Sequence, residues 1–223
     1  ATKECTESSA IKLPDDFNNY VSSFIELMSV AYQGITKFDS IAITPKSRLG
    51  VWGDGNLGFI TALFLKEMYP QSKVVVFGKH QDNLNLFSFA DEIYRIHDVP
   101  DGLAIDHCFE CVGSSASQTA IEQIIDLVNP QGTVNLFGVS EYPVPINTRM
   151  ILEKGLTVQG NSRSEREDFI GVVALLSDNP RLFDYLEKLI TNVCEINSLN
   201  DLKEAFDKDS ISKFGKTILK WNK

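Results

Sequence analysis

Val51-Trp52-Gly53-Asp54-Gly55-Asn56-Leu57-Gly58-Phe59-Ile60 reads as the end of an apolar strand, a tight turn and the start of a helix. In the Gly-x-Gly-x-x-Gly spacing, the first glycine permits the turn and the second lets backbone approach a pyrophosphate. The third lets helix and strand pack closely. A helix opening there also offers unpaired N–H groups to an anion. The spacing alone is a weak signal. Here a strand at 48–52 precedes it, a helix at 56–69 follows, and a second strand comes at 73–77, which is the context the motif requires. The turn therefore predicts a dinucleotide site at Gly53, Gly55, Asn56, Leu57 and Gly58. The bland alternative is a Gly-rich turn of an α/β protein that binds nothing.

Outward from the turn, short apolar strands alternate with helices. Strands are expected at 48–52, 73–77, 92–96, 104–111, 132–138 and 156–160, and helices at 56–69, 82–90 and 115–129, with a weaker one at 145–154. Lys73-Val74-Val75-Val76-Phe77 and Thr133-Val134-Asn135-Leu136-Phe137 have the near-continuous apolar character of strands covered on both faces. That favours a parallel sheet between helices. The predicted fold is α/β, a doubly wound parallel sheet of Rossmann type spanning 36–163. A helix is expected at 19–36, from Val21, Phe24, Ile25, Met28 and Ala31 at helical spacing. From 164 the pattern turns helical, ending in a strand, Lys216-Thr217-Ile218-Leu219-Lys220-Trp221. Segments 1–35 and 164–223 read as the terminal remnants of a second, catalytic domain.

The tip of the second strand bears on cofactor choice. A carboxylate about 20 residues past the motif would accept the ribose 2′-OH of NAD. The tip here is Gly78-Lys79-His80, and a 2′-phosphate can pair with Lys79. NADP is the expected cofactor; the alternative is that Lys79 and His80 are solvated loop residues. Ligands of open parallel sheets lie outside the carboxyl ends of strands. Cys111-Val112-Gly113 and Phe137-Gly138, at two further strand ends, are therefore candidates for the nicotinamide half, unless their glycines only terminate strands.

The chain has 223 residues, with 30 acidic against 21 basic and a net charge of −9. An acidic surface repels phosphate backbones, which argues against nucleic acid. No apolar run reaches the roughly 18–20 residues of a spanning helix, and the polar N-terminus lacks a signal core. A cytoplasmic protein without membrane contact is expected. Cys5, Cys108, Cys111 and Cys194 are too sparse for a disulfide framework.

Two motifs mislead. Cys108-x-x-Cys111 invites a metal reading, but residues three apart on a strand face opposite ways, and buried small side chains are the better account. Tyr69-x-x-x-Lys73 has the spacing of short-chain reductases, but Pro70 breaks the helix that would align the pair. Glu26, in Phe24-Ile25-Glu26-Leu27-Met28, needs a partner if buried. A metal is one option; a solvent-facing stripe is the bland one. Arg163 and Arg166 could hold a substrate phosphate or serve only in surface salt bridges.

Gly53-Asp54-Gly55-Asn56-Leu57-Gly58, the Glu26-Leu27-Met28-Ser29-Val30 helix, Cys111-Val112-Gly113 and Gly215-Lys216-Thr217-Ile218-Leu219-Lys220-Trp221 resemble the zinc-containing medium-chain dehydrogenases. Val51 to Thr61 and Val76-Phe77-Gly78-Lys79 are most similar to the NADP-dependent ribulose-5-phosphate reductases, which make ribitol 5-phosphate for teichoic acids and capsules. The resemblance spans about residue 9 to the end. It implies NADP, zinc in the complete enzyme, a sugar-phosphate substrate, a homodimer, and Glu26 as one metal ligand. It also implies that most zinc ligands lie in an N-terminal domain this chain lacks. Two functions follow. One is the cofactor-binding portion of an NADPH-dependent reductase acting on a ketose phosphate, inactive alone. The other is a stand-alone NADP(H)-binding module with a regulatory or assembly role.

Overall fold

The computed structural model describes residues 10–212 and 214–222. Cys5 and the polar stretch before Ala10 lie outside them. The chain divides into two compact units, Val30–Arg163 and a second one made of Ala1–Ser29 with Ser164–Lys223.

The larger unit is built on a six-stranded sheet in the order β3-β2-β1-β4-β5-β6. Its strands are β1 (Arg48–Trp52), β2 (Lys73–Gly78), β3 (Glu92–Arg95), β4 (Ile105–Glu110), β5 (Val128–Leu136) and β6 (Thr157–Gly160). Every pairing is parallel. The order reverses between β1 and β4, the switch point outside which doubly wound sheets hold ligands. Residues 49–52 of β1 and 74–78 of β2 are wholly buried, as the unbroken apolar runs require. Trp52 stacks on Phe77 at 3.9 Å between ring centroids.

Helix α1 (Asn19–Ser22) is capped by Asn18, whose side chain accepts the N–H of Tyr20 and Val21. Helix α2 (Ile25–Ile41) buries Met28, Ala31, Ile35 and Phe38, spaced by three and four residues to form one apolar stripe. The single helix expected at 19–36 is thus two, the second reaching Ile41. Helices α3 (Asn56–Met68), α5 (Ala116–Leu127) and α6 (Thr148–Lys154) sit close to the expected places. The helix expected at 82–90 shrinks to α4 (Gln81–Leu84). Beyond it the chain turns tightly, with Leu86 N–H bonded to Asn83 O and Phe87 N–H to Leu84 O. Those turns bring Phe87 and Phe89 to about 5 Å from Phe59 of α3. Aromatic packing outweighs helix propensity there.

The smaller unit contains α7 (Arg166–Asp178), α8 (Leu182–Leu186), a 3₁₀ turn (Glu187–Leu189), β7 (Ile190–Ile196), α9 (Leu199–Ile211) and β8 (Lys216–Trp221). The final strand is where the sequence places it. Its partner corrects the reading of everything after 164 as helical: β8 pairs in parallel with β7, from Ile190↔Lys216 to Ile196↔Trp221. β7 and β8 form their own two-stranded sheet, joined by α9 as a β-α-β crossover. Among the described residues, no helix is long and apolar enough to cross a membrane.

Candidate cofactor cleft

Gly53 leaves β1 at φ +129°, in the region where a side chain is strained. Its N–H donates to Phe77 O at 2.9 Å, which ties the turn to β2. α3 begins at once, and a Cβ on Gly58 would stand 1.9 Å from Gly53 O, so only glycine lets the helix pack this close to the turn. Gly55 is the N-cap of α3 and has no side-chain cap bond; a Cβ there would meet nothing within 4 Å. Backbone amides at a helix start, open to approach, are suited to a pyrophosphate.

A cleft of about 690 Å³ opens in front of this turn at the carboxyl ends of the strands. Trp52 and Phe77 line it, and Trp52 Nε1 donates to Gln123 Oε1 at 2.9 Å. Of the residues the sequence singles out, Gly53, Gly55, Gly78, Lys79, His80, Cys111, Val112 and Gly113 line the same cleft. Asn56, Leu57 and Gly58 lie in the first turn of α3 and do not line it. Phe137 and Gly138 do not line it either. Phe137 is buried, its ring filling the space over Gly34, where a Cβ would be 2.0 Å away.

Two carboxylates that sequence reasoning missed hold backbone next to the cleft, Asp54 lining it and Glu110 buried behind it. Asp54 Oδ2 accepts the N–H of Lys79 at 2.8 Å and the N–H of His80, joining the turn to the β2 tip. Glu110, fully buried at the end of β4, accepts Val112 N–H at 2.8 Å, Ser117 Oγ–H at 3.2 Å and Gly138 N–H at 3.0 Å. It thereby binds the ends of β4 and β5 to each other. Burial pushes its carboxyl above the ordinary range, against those same hydrogen bonds. Its place in Phe109-Glu110-Cys111, a charge inside an apolar strand, was the available signal.

The cysteines are as the strand geometry requires. Cys108 is buried in the core cluster with Trp52 and Val134, and Cys111 Sγ–H donates to Thr61 Oγ1 at 3.6 Å. Desolvation pushes both thiols up, away from the reactive thiolate. His107, a residue of β4, is buried, with Nδ1 beside Thr133 Oγ1 at 3.2 Å, and burial lowers its basicity. Glu26 is exposed in the first turn of α2. Arg163 offers its carbonyl to Gln33 Nε2 at 2.7 Å, and Arg166 opens α7. Among the described residues, no three His, Cys, Asp or Glu side chains gather to hold a metal. By themselves they do not fit a catalytic zinc, which takes three protein ligands and an open position.

Residues 68–178 match the zinc-binding dehydrogenase family. The chain is 48% identical over 212 residues to ribulose-5-phosphate reductase 1 of Staphylococcus aureus, covering 95% of this chain and 62% of that protein. It is 48% identical over 211 residues to the ribulose-5-phosphate reductase of Bacillus spizizenii, again covering 95% and 62%. The chain thus spans about 62% of the length of these relatives. Among solved structures, S. aureus TarJ superposes with a TM-score of 0.92 at 47% identity, covering 96% of this chain and 69% of that one. The same protein in complex with NADPH gives the same score. A more distant 2R,3R-butanediol dehydrogenase from Bacillus subtilis, 20% identical with a TM-score of 0.76 over 95% of this chain and 60% of that one, shares the fold. The parallel sheet, the glycine turn at its switch point and these likenesses agree: the chain belongs to the zinc-binding, medium-chain dehydrogenase family.

Proposed function

We propose that this chain is the cofactor-binding portion of an NADPH-dependent reductase that converts ribulose 5-phosphate to ribitol 5-phosphate. The observation that carries the cofactor reading is the joining of turn and strand tip in one cleft. Gly53 and Gly55 line it together with Lys79 and His80. The carboxylate of the turn, Asp54, is engaged by the tip's own backbone. The substrate reading rests on the relatives, which are named ribulose-5-phosphate reductases.

In this reading Gly53, Gly55, Asn56, Leu57 and Gly58 hold the pyrophosphate region, and Gly78, Lys79 and His80 face the 2′-phosphate. Cys111, Val112 and Gly113 line the nicotinamide half, with Phe137 and Gly138 supporting that strand end. The bound dinucleotide supplies a hydride. Glu26 serves as a metal ligand once the other ligands come from the part of the relatives' length that this chain does not span. Self-association through β6, an edge of the sheet, follows from the pairing capacity of exposed edges; sedimentation showing only monomer at micromolar concentration would refute it.

Fluorescence titration of the protein with NADPH and NADH tests the cofactor reading. NADPH is expected to bind more tightly, and Lys79→Ala to weaken that preference by about 1.5–3 kcal/mol. Equal affinities would overturn it. With ribulose 5-phosphate and NADPH, this chain by itself is expected to show no turnover above a blank, because near-attack positioning of substrate needs groups the cleft does not supply. Turnover would mean that the catalytic groups are all within these residues.

A further inference from the structure

Asp54 is the second residue of the glycine turn, yet its carboxylate serves the neighbouring strand. Besides the N–H groups of Lys79 and His80, it faces His80 Nδ1 at 3.1 Å. Its side chain is only 13% exposed, and a Cβ on Gly78 would lie 2.7 Å from Asp54 Cβ, so turn and tip touch at this point. A carboxylate only accepts, so Nδ1 carries the hydrogen and Nε2 faces away from the aspartate. Nε2 then accepts in the neutral ring and donates in the charged one. Among the described residues Nε2 has no protein hydrogen bond, and the imidazole is 44% exposed at the cleft beside Lys79.

We propose that Asp54 is a positioning residue for cofactor choice. It withdraws the turn's carboxylate from the ribose, fixes the backbone of the β2 tip, and holds His80 so that Nε2 and the Lys79 ammonium together receive the ribose 2′-phosphate. The inference rests on the NADP reading above. A carboxylate facing the ribose would repel that phosphate, whereas an imidazolium N–H and an ammonium form charge-assisted bonds to it. The charged or titratable groups next to the ring are Asp54, Lys79 and, in the first turn of α4, Asp82; His97 lines the same cleft.

Calorimetric titration with 2′,5′-ADP and 5′-AMP isolates recognition of the 2′-phosphate from the nicotinamide half. The wild-type protein is expected to prefer 2′,5′-ADP, and His80→Ala to lose about tenfold of that preference. Asp54→Ala should lose a similar part of the preference, and Asp54→Asn, which keeps an acceptor for the tip, should restore some of it. In long-range ¹H–¹⁵N spectra, Asp54→Ala should also abolish the Nδ1–H signature of His80. An unchanged preference in His80→Ala overturns the proposal, and that exposed substitution decides the matter even if Asp54→Ala does not fold. Equal binding of both nucleotides by the wild type would instead sink the NADP reading, and binding of neither would sink the dinucleotide site, each taking this proposal with it.

Discussion

β1 and β2 are buried from Leu49 to Trp52 and from Val74 to Gly78, whereas β7 alternates between half-buried and exposed residues up to the buried Ile196, and β8 has no buried residue. Both pairs are parallel. Parallel strands are normally covered on both faces, and the first pair obeys that rule within its own unit, where residues of α2, α3 and α5 are buried. The second leaves Val193 43%, Phe206 62% and Trp221 62% exposed. The difference teaches that the large sheet is covered on both faces while the two-stranded sheet buries little of its own surface; both units leave some apolar side chains exposed, among them Val139 and Leu152 in the larger one. A sheet of two strands is marginal without further cover.

The comparison breaks most visibly at Trp52. It is fully buried, stacked on Phe77, and hydrogen-bonded to Gln123. Trp52→Ala is expected to cost about 3–5 kcal/mol in urea unfolding followed by far-ultraviolet circular dichroism. A cost under about 1 kcal/mol would mean the core is not closed as described.

Glu110 sharpens the comparison within the larger unit. Replacing its carboxyl group in Glu110→Gln should cost about 1.5–3 kcal/mol at acidic pH, because both oxygens of the neutral acid can still accept a hydrogen bond and the amide nitrogen cannot. Burial raises its folded value above the usual 4.5, so the native state holds its proton more tightly than the unfolded chain. The stabilisation is therefore full below about 4.5 and is lost as pH rises through the folded value. The urea midpoint of the wild type should accordingly fall relative to Glu110→Gln as pH rises. A gap that widens with pH would reverse the assignment.

The smallest effect is expected in β7. Val193→Ala, at a 43% exposed position, should change stability by about 0.5 kcal/mol or less. Amide exchange in β7 and β8 should be faster than in β1, β2 and β4. Uniform protection across both sheets would erase the contrast.

The contrast also marks what could be read beforehand. The glycine turn and the strands of the large sheet were legible because long apolar runs and glycine spacing are local signals of burial and tight turning. β7 was not. Ile190-Thr191-Asn192-Val193-Cys194-Glu195-Ile196 has too little apolar content for a buried strand, and it follows helical periodicity directly. Its scattered β-branched residues were the signal available.

The sequence by itself determined that a strand, a glycine turn and a helix follow one another at 48–68, that the sheet is parallel, and that the β2 tip carries Lys79 and His80 rather than an acid. These are properties of neighbouring residues, whose spacing dictates backbone conformation directly. Only the tertiary structure decided that Asp54 reaches across to Lys79 and His80, that Glu110 joins the ends of β4 and β5, that Phe87 and Phe89 end α4 early, and that β8 pairs with β7. Each of these brings together residues about 20 or more positions apart, or trades local propensity for a distant ring. No periodicity encodes such a meeting, because it forms only when the packed layers bring the two stretches within hydrogen-bonding or van der Waals reach.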